Sequence, residues 1–410
     1  MEIRKIKWLP LLLRVVMILS LLPGIALSDC LTTSGEQVAA YTADSIESLA
    51  EESQPNVVEQ IIMVNGKESW AQMSKQINID TTSVKIVGTD DSAEIVFENN
   101  IIEFNTDMTL NNIQLSVSNS AQGNIRFFAN GHNFATTNTV SSEGNFWLYG
   151  GGNKVDVGNT SLTVNGGKFV FICGGSYAAD SAASTVYVGE NVEVGCVLGG
   201  AHGGVTTGNI SVTYASKHKA DFVIGSSSDI KRSPNQSADV NNPDGSIQVT
   251  VCKGAVVEEV NGACNTMVNC KDIYVTVEEG ASVLSSVIGG SSTSNNSKLN
   301  YTYSIGPANG FGPSATHYTT NADIHVTMNG EGRSGDTKAY SASVIGGAVY
   351  AEIQGNIDVV LNGTVEYVYG GCCSGNVMGD INLSINGKVL AGGHNANIEI
   401  GDVQERSVCA

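Results

Sequence analysis

Asn356-Ile-Asp-Val-Val-Leu-Asn-Gly-Thr-Val-Glu-Tyr-Val-Tyr-Gly-Gly371 is followed by Asp380-Ile-Asn-Leu-Ser-Ile-Asn-Gly387, which repeats its opening line. Every second residue of that line is Ile, Val or Leu, so a strand would carry one apolar face and one mainly polar face. The same line stands at Asn209-Ile-Ser-Val-Thr, Ser246-Ile-Gln-Val-Thr-Val, Asp272-Ile-Tyr-Val-Thr-Val and Asp323-Ile-His-Val-Thr-Met. Between successive lines a second apolar run ends in a Gly turn, at Gly150, Gly174, Gly199, Gly225, Gly262, Gly289, Gly346, Gly370 and Gly392. Six of the eight separations between these turns fall between 22 and 27 residues. Two short strands and a turn in each repeat can bury their apolar faces only by stacking on the next repeat. A β-sandwich would turn every 8 to 12 residues or so instead.

The fold expected is therefore all-β, a single-stranded right-handed parallel β-helix (β-solenoid) with a small N-terminal α/β cap. The corners need Gly either for positive φ or for close approach of successive backbones. Strand-like runs upstream, such as Ser83-Val-Lys-Ile-Val-Gly and Asn124-Ile-Arg-Phe-Phe, place the solenoid at 80–402, in about twelve coils, with a short tail at 403–410. At about 4.8 Å per coil the rod would be on the order of 50 to 60 Å long. Open solenoid ends expose strand edges and are normally covered. Within 29–79, Ile46, Leu49 and Ala50 follow Asp44 at helical spacing, and Trp70, Met73 and Ile77 repeat the pattern. This segment is the expected cap.

Residues 1–28 read as a secretory signal. Arg4, Lys5 and Lys7 precede an apolar stretch that ends in Ala26-Leu-Ser28, with small residues at the cleavage positions. Its removal takes off a net +3 and turns the chain's formal −19 into −22. No later apolar stretch has membrane length, so the product is expected to be secreted and to remain in solution or at a cell surface. The strong negative charge opposes phosphate backbones and argues against nucleic acid as a partner.

Trp147-Leu-Tyr-Gly-Gly-Gly, the run from Asn356 to Gly371, and Asn376-Val-Met-Gly-Asp-Ile-Asn-Leu-Ser-Ile-Asn-Gly resemble the Gly-rich repeats of large secreted or surface proteins of bacteria. The resemblance covers roughly residues 80–400. It implies a pectin-lyase-like β-helix with an adhesin-like or structural role that binds a glycan or a host or cell-surface protein. It is a grammar of repeats and carries no catalytic signature, so the enzyme reading rests on the residues alone. The alternative is a pectin-lyase-like carbohydrate-active enzyme or polysaccharide-binding protein. Against it, Asp90-Asp91 precedes Asn105-Thr-Asp107, the reverse of the polygalacturonase-like order, and Gly131-His-Asn133 breaks the histidine motif. No catalytic residues, metal ligands or cofactor are assigned, since the six His are dispersed and no calcium-binding nonapeptide occurs.

Two features remain as candidates. Long segments at Ser226–Asp244 and Ser291–Ala322 lengthen individual coils, and long loops often carry function. The second holds Tyr301, Tyr303, Phe311, His317 and Tyr318, which would form a stacking surface for a sugar or partner, or would pin the loop to the rod. Cys173 and Cys196 lie one coil apart before their Gly turns. They would form a disulfide or sit as two small buried hydrophobes.

Overall fold

The computed structural model describes residues 38–42, 59–70, 82–118, 123–228, 240–263, 267–291, 302–303, 319–332, 342–349, 351–373 and 375–390. Among them no α-helix is present, and every strand pairing is parallel. The chain is a parallel β-helix. A 14-stranded sheet runs from Val38–Thr42 to Ile381–Ile385, and a 13-stranded sheet runs beside it from Ile101–Glu103 to Lys388–Val389. From Phe146–Tyr149 to Thr319–Met328 successive strands alternate between the two, so each of these coils adds one rung to each sheet.

Register follows the apolar alternation. Leu162, Val186, Val212, Val249, Val275, Val326, Val359 and Leu383 are partners from rung to rung and form one inward column of the first sheet. The register is well fixed, because a one-residue slip would turn that whole column outward.

The corner glycines stack in a second column, and close approach is the reason for them. A Cβ on Gly150, Gly174, Gly199, Gly225, Gly262, Gly289 or Gly346 would run into the carbonyl oxygen of the next corner glycine. None of these seven has positive φ. Their N–H groups continue the second sheet past its strands, as in Gly199 N–H to Ile224 O at 2.8 Å and Gly225 N–H to Asn261 O at 2.9 Å. The ninth expected corner, Gly392, lies outside the described residues.

The N-terminal coils are built differently. A four-stranded sheet (Lys67–Ser69, Glu94–Phe97, Gln114–Val117 and Ser141–Glu143) inserts a third side between the other two. Bulkier side chains fill the interior there: Phe97, Phe104, Phe127, Phe134 and Phe146 pack with Trp70, with ring centroids 5.0 to 6.0 Å apart. Past Val164 the core is dominated by Val and Ile.

The start of the solenoid differs from the expectation. Glu59–Val64 pairs in full register with Ser83–Gly88, and Val38–Thr42 pairs with Glu59–Val64, so two rungs precede residue 80. Thirteen rungs succeed one another along the first sheet, eleven of them from Ser83 onward. Trp70 follows the strand Lys67–Ser69: its backbone N–H donates to Val96 O at 2.8 Å and its ring lies in the coil interior. Pairing through all six residues of Glu59–Val64 fixes this rung, and the ring of Trp70 is buried by the coils stacked on it. Asp44, Ile46, Leu49, Ala50, Met73 and Ile77 of the expected cap, the signal segment and the tail lie outside the described residues. The expected loop Ser226–Asp244 is also shorter than read, since Val240–Val251 is one strand and Ser226, Ser227 and Ser228 are buried.

One charged group is buried against this regular frame. Glu259 sits on the second sheet and accepts from Asn261 Nδ2 at 2.9 Å, while Asn261 Oδ1 is buried without a partner. Burial pushes the Glu259 carboxyl above its ordinary value of 4.5, against hydrogen bonds that lower it. A raised pKa means the folded state holds this proton more tightly, so the group weakens the fold as pH rises through its folded value. Glu259→Gln, whose amide can also donate to Asn261 Oδ1, is expected to melt above the parent at neutral pH. The gap should close as pH falls toward 4.5, which a melting series across pH would show.

Candidate ligand-binding groove

The outer face of the second sheet is apolar over several coils. Phe128, Tyr149, Cys173, Leu198 and Ile224 alternate with the inward residues Phe127, Leu148, Ile172, Val197 and Val223, so they point away from the coil interior. They are buried nonetheless, beneath a layer that includes His202, Tyr177 and Tyr303. Arg126 lies over both Trp147 and Tyr177, at 6.0 and 5.1 Å from their ring centroids. His202 Nδ1 and Tyr149 Oη are 3.1 Å apart.

Tyr303 is the described member of the aromatic loop set. It stands after the strand Ser282–Ile288 but seats several coils back, against Phe171 and Phe222, with its hydroxyl donating to Asp221 Oδ2 at 2.8 Å. Only 4% of it is exposed. Burial and the Asp221 carboxylate both hold its phenol protonated far above the ordinary range. Gly195 makes room for it, since a Cβ there would strike the Tyr303 hydroxyl. Tyr303 is therefore an anchor that pins its segment to the flank, and its ring is not free to stack on a sugar. Tyr301, Phe311, His317 and Tyr318 lie outside the described residues.

Beside that anchor an open groove of about 410 Å³ crosses neighbouring coils. Its rim is Lys168, Glu193, His218 and Lys219, and beneath it lie Gly195 and the backbone of Phe169 and Val194, whose side chains pack into the coil interior. Lys168 and Glu193 are register partners on adjacent strands, so their side chains stand beside each other and meet at 3.1 Å. Lys219 reaches Glu258 at 2.9 Å and Asp221 at 3.8 Å. His218 is held by its backbone: the buried Tyr214 hydroxyl donates to His218 O at 2.5 Å, and His218 N–H donates to Ser216 Oγ at 3.0 Å. Exposed ion pairs of this kind contribute about 0 to 1 kcal/mol each, so the rim can rearrange around a ligand at little cost. Sequence reading missed this groove. Its members are scattered over more than one coil and form no motif; only the coil period, applied to Lys168 and Glu193, would have paired them.

Of the two alternatives for Cys173 and Cys196, the structure shows the second: they form no disulfide with each other and both are fully buried. Register places Cys173 beside Leu198 and Cys196 beside Phe171, which leaves the two thiols diagonal to one another. The Cys173 thiol donates to Gly200 O at 3.1 Å, and burial pushes its pKa far up. These cysteines pack as small hydrophobes. Under native conditions iodoacetamide is expected to label the exposed Cys373 and to spare Cys173 and Cys196 until the chain is unfolded, which peptide mass mapping would read.

On the outer face of the first sheet, Tyr274 and His325 stack with centroids 4.7 Å apart. The imidazole bridges two carboxylates, Nδ1 to Asp358 Oδ2 at 3.1 Å and Nε2 to Asp272 Oδ1 at 3.4 Å. These carboxylates converge on the histidine and not on a cleft. Among the described residues no group of three or more His, Cys, Asp or Glu could hold a metal ion.

No protein-family model matches the chain, and no curated protein or solved structure matches it. The architecture and the groove therefore carry the functional argument.

Proposed function

We propose that the protein is an exported, non-enzymatic β-solenoid with an adhesin-like or structural role, which binds a glycan or a surface protein on its flank. The observation that carries this reading is the groove beside Tyr303, whose ring is seated several coils back on an otherwise regular rod. A rigid solenoid suits such a role, because each coil holds its neighbours and the surface is presented without rearrangement. The leader-like N-terminus and the resemblance to Gly-rich surface repeats support the same reading. Among the described residues no helix is long and apolar enough to cross a membrane.

Labelled protein of residues 29–410 would be applied to glycan arrays and to intact cells, with products screened for new reducing ends and unsaturated uronates. Binding without turnover is the result expected. Cleavage of any glycan would overturn the non-enzymatic part and favour the carbohydrate-active alternative.

A further inference from the structure

We infer that the groove takes an uncharged, hydroxyl-rich sugar, recognised by ammonium and carboxylate groups that stand side by side along its rim. This rests on the glycan-binding reading above. The two lysines of the groove already carry acid partners, Lys168 with Glu193, and Lys219 with Glu258 and Asp221. The next pair outward, Lys217 with Glu190, continues the arrangement. A carboxylate, sulfate or phosphate entering here would approach Glu193, Asp221 and Glu258 together with the lysines. It would also enter against the field of a chain with formal charge −19.

A neutral saccharide meets none of this opposition. Each sugar hydroxyl donates one hydrogen bond and accepts others, and neighbouring hydroxyls can engage an ammonium and a carboxylate at once. Charge-assisted hydrogen bonds are the stronger kind, and a balanced pair supplies both polarities. The volume, about 410 Å³, lies in the roughly 300–1,000 Å³ range of small-ligand sites.

The test is calorimetric and NMR titration of the protein of residues 29–410 with neutral oligosaccharides of glucose, galactose and mannose, and with oligogalacturonate, at low and high salt. Three proteins are compared: the parent, the double variant Lys168→Ala with Glu193→Ala, and the charge-swapped variant Lys168→Glu with Glu193→Lys. Melting curves check that all three fold. At least one neutral oligosaccharide is expected to bind with little salt dependence, to lose about tenfold or more in affinity when the pair is removed, and to regain most of it in the swap. Oligogalacturonate binding that weakens with salt, with no neutral sugar bound, would overturn the inference and leave glycan binding standing. Neutral sugars bound equally by all three proteins would do the same. Absence of any saccharide binding would remove the inference and the glycan half of the proposed function together.

Discussion

Gly225→Val is expected to abolish the native fold or to destabilise it by about 3 kcal/mol or more, because the new side chain has nowhere to go. A Cβ at Gly225 would lie 2.6 Å from Gly262 O, from Ile247 Cγ2 and from Val249 Cγ2, one backbone oxygen and two inward side chains of the next coil. Moving them would open the hydrogen bond from Gly225 N–H to Asn261 O and separate two coils along both sheets. Relief by a local backbone shift is blocked, since each coil is clamped by the coils above and below. Gly158→Ala is the matched control. No atom lies within 4 Å of a Cβ there and its φ is not positive, so loss of Gly should be neutral or stabilise by up to about 1 kcal/mol. Chemical denaturation of both variants beside the parent measures the contrast.

Phe127→Ala carries the second large effect, about 3 to 5 kcal/mol. Phe127 is 1% exposed and touches three other rings, Phe97 at 5.0 Å, Phe146 at 5.4 Å and Phe104 at 5.9 Å. The cross-section there is enlarged by the four-stranded sheet, so the neighbouring coils cannot collapse inward to refill the space. Its consequences should also be local. In a solenoid stability is close to a sum of coil and nearest-neighbour contributions. Amide exchange should therefore accelerate in the strands from Ser83–Gly88 to Phe146–Tyr149 and stay slow in the strands Ile210–Tyr214, Val240–Val251, Val268–Val277 and Thr319–Met328, whereas uniform acceleration would mean that the rod unfolds as one unit.

Much of the architecture was legible because one physical constraint recurs in every coil. Ile210, Ile247, Ile273, Ile324, Ile357 and Ile381 occupy one register column, and the same residue type marked the start of each repeated strand. The corner glycines were legible for the same reason, although the choice between positive φ and close approach needed coordinates. The rung Glu59–Val64 was not legible, since a single Gly66 and no Gly-Gly corner follows it, while Met73 and Ile77 of the expected cap lie outside the described residues. The groove was not legible, since Lys168, Glu193 and Lys219 are ordinary surface residues until stacking places them around one space. For Tyr303 the sequence left a stacking surface and a pin to the rod both open, and the socket formed by Gly195, Asp221, Phe171 and Phe222 on the outer face of the second sheet shows that this ring is a pin.

The central claim, an in-register parallel solenoid, is tested most directly by a single distance. Thr185 and Asn382 are exposed on the outer face of the first sheet. Six register steps join them through Ser211, Gln248, Tyr274, His325 and Asp358. Spin labels attached at these two positions through ketone-bearing residues, which leaves the native thiols untouched, would be measured by pulsed dipolar spectroscopy. The solenoid predicts one narrow distribution centred near 29 Å, six steps of about 4.8 Å. A broad distribution, or a centre more than about 10 Å away, would contradict it, since neither is compatible with strands stacked at that spacing.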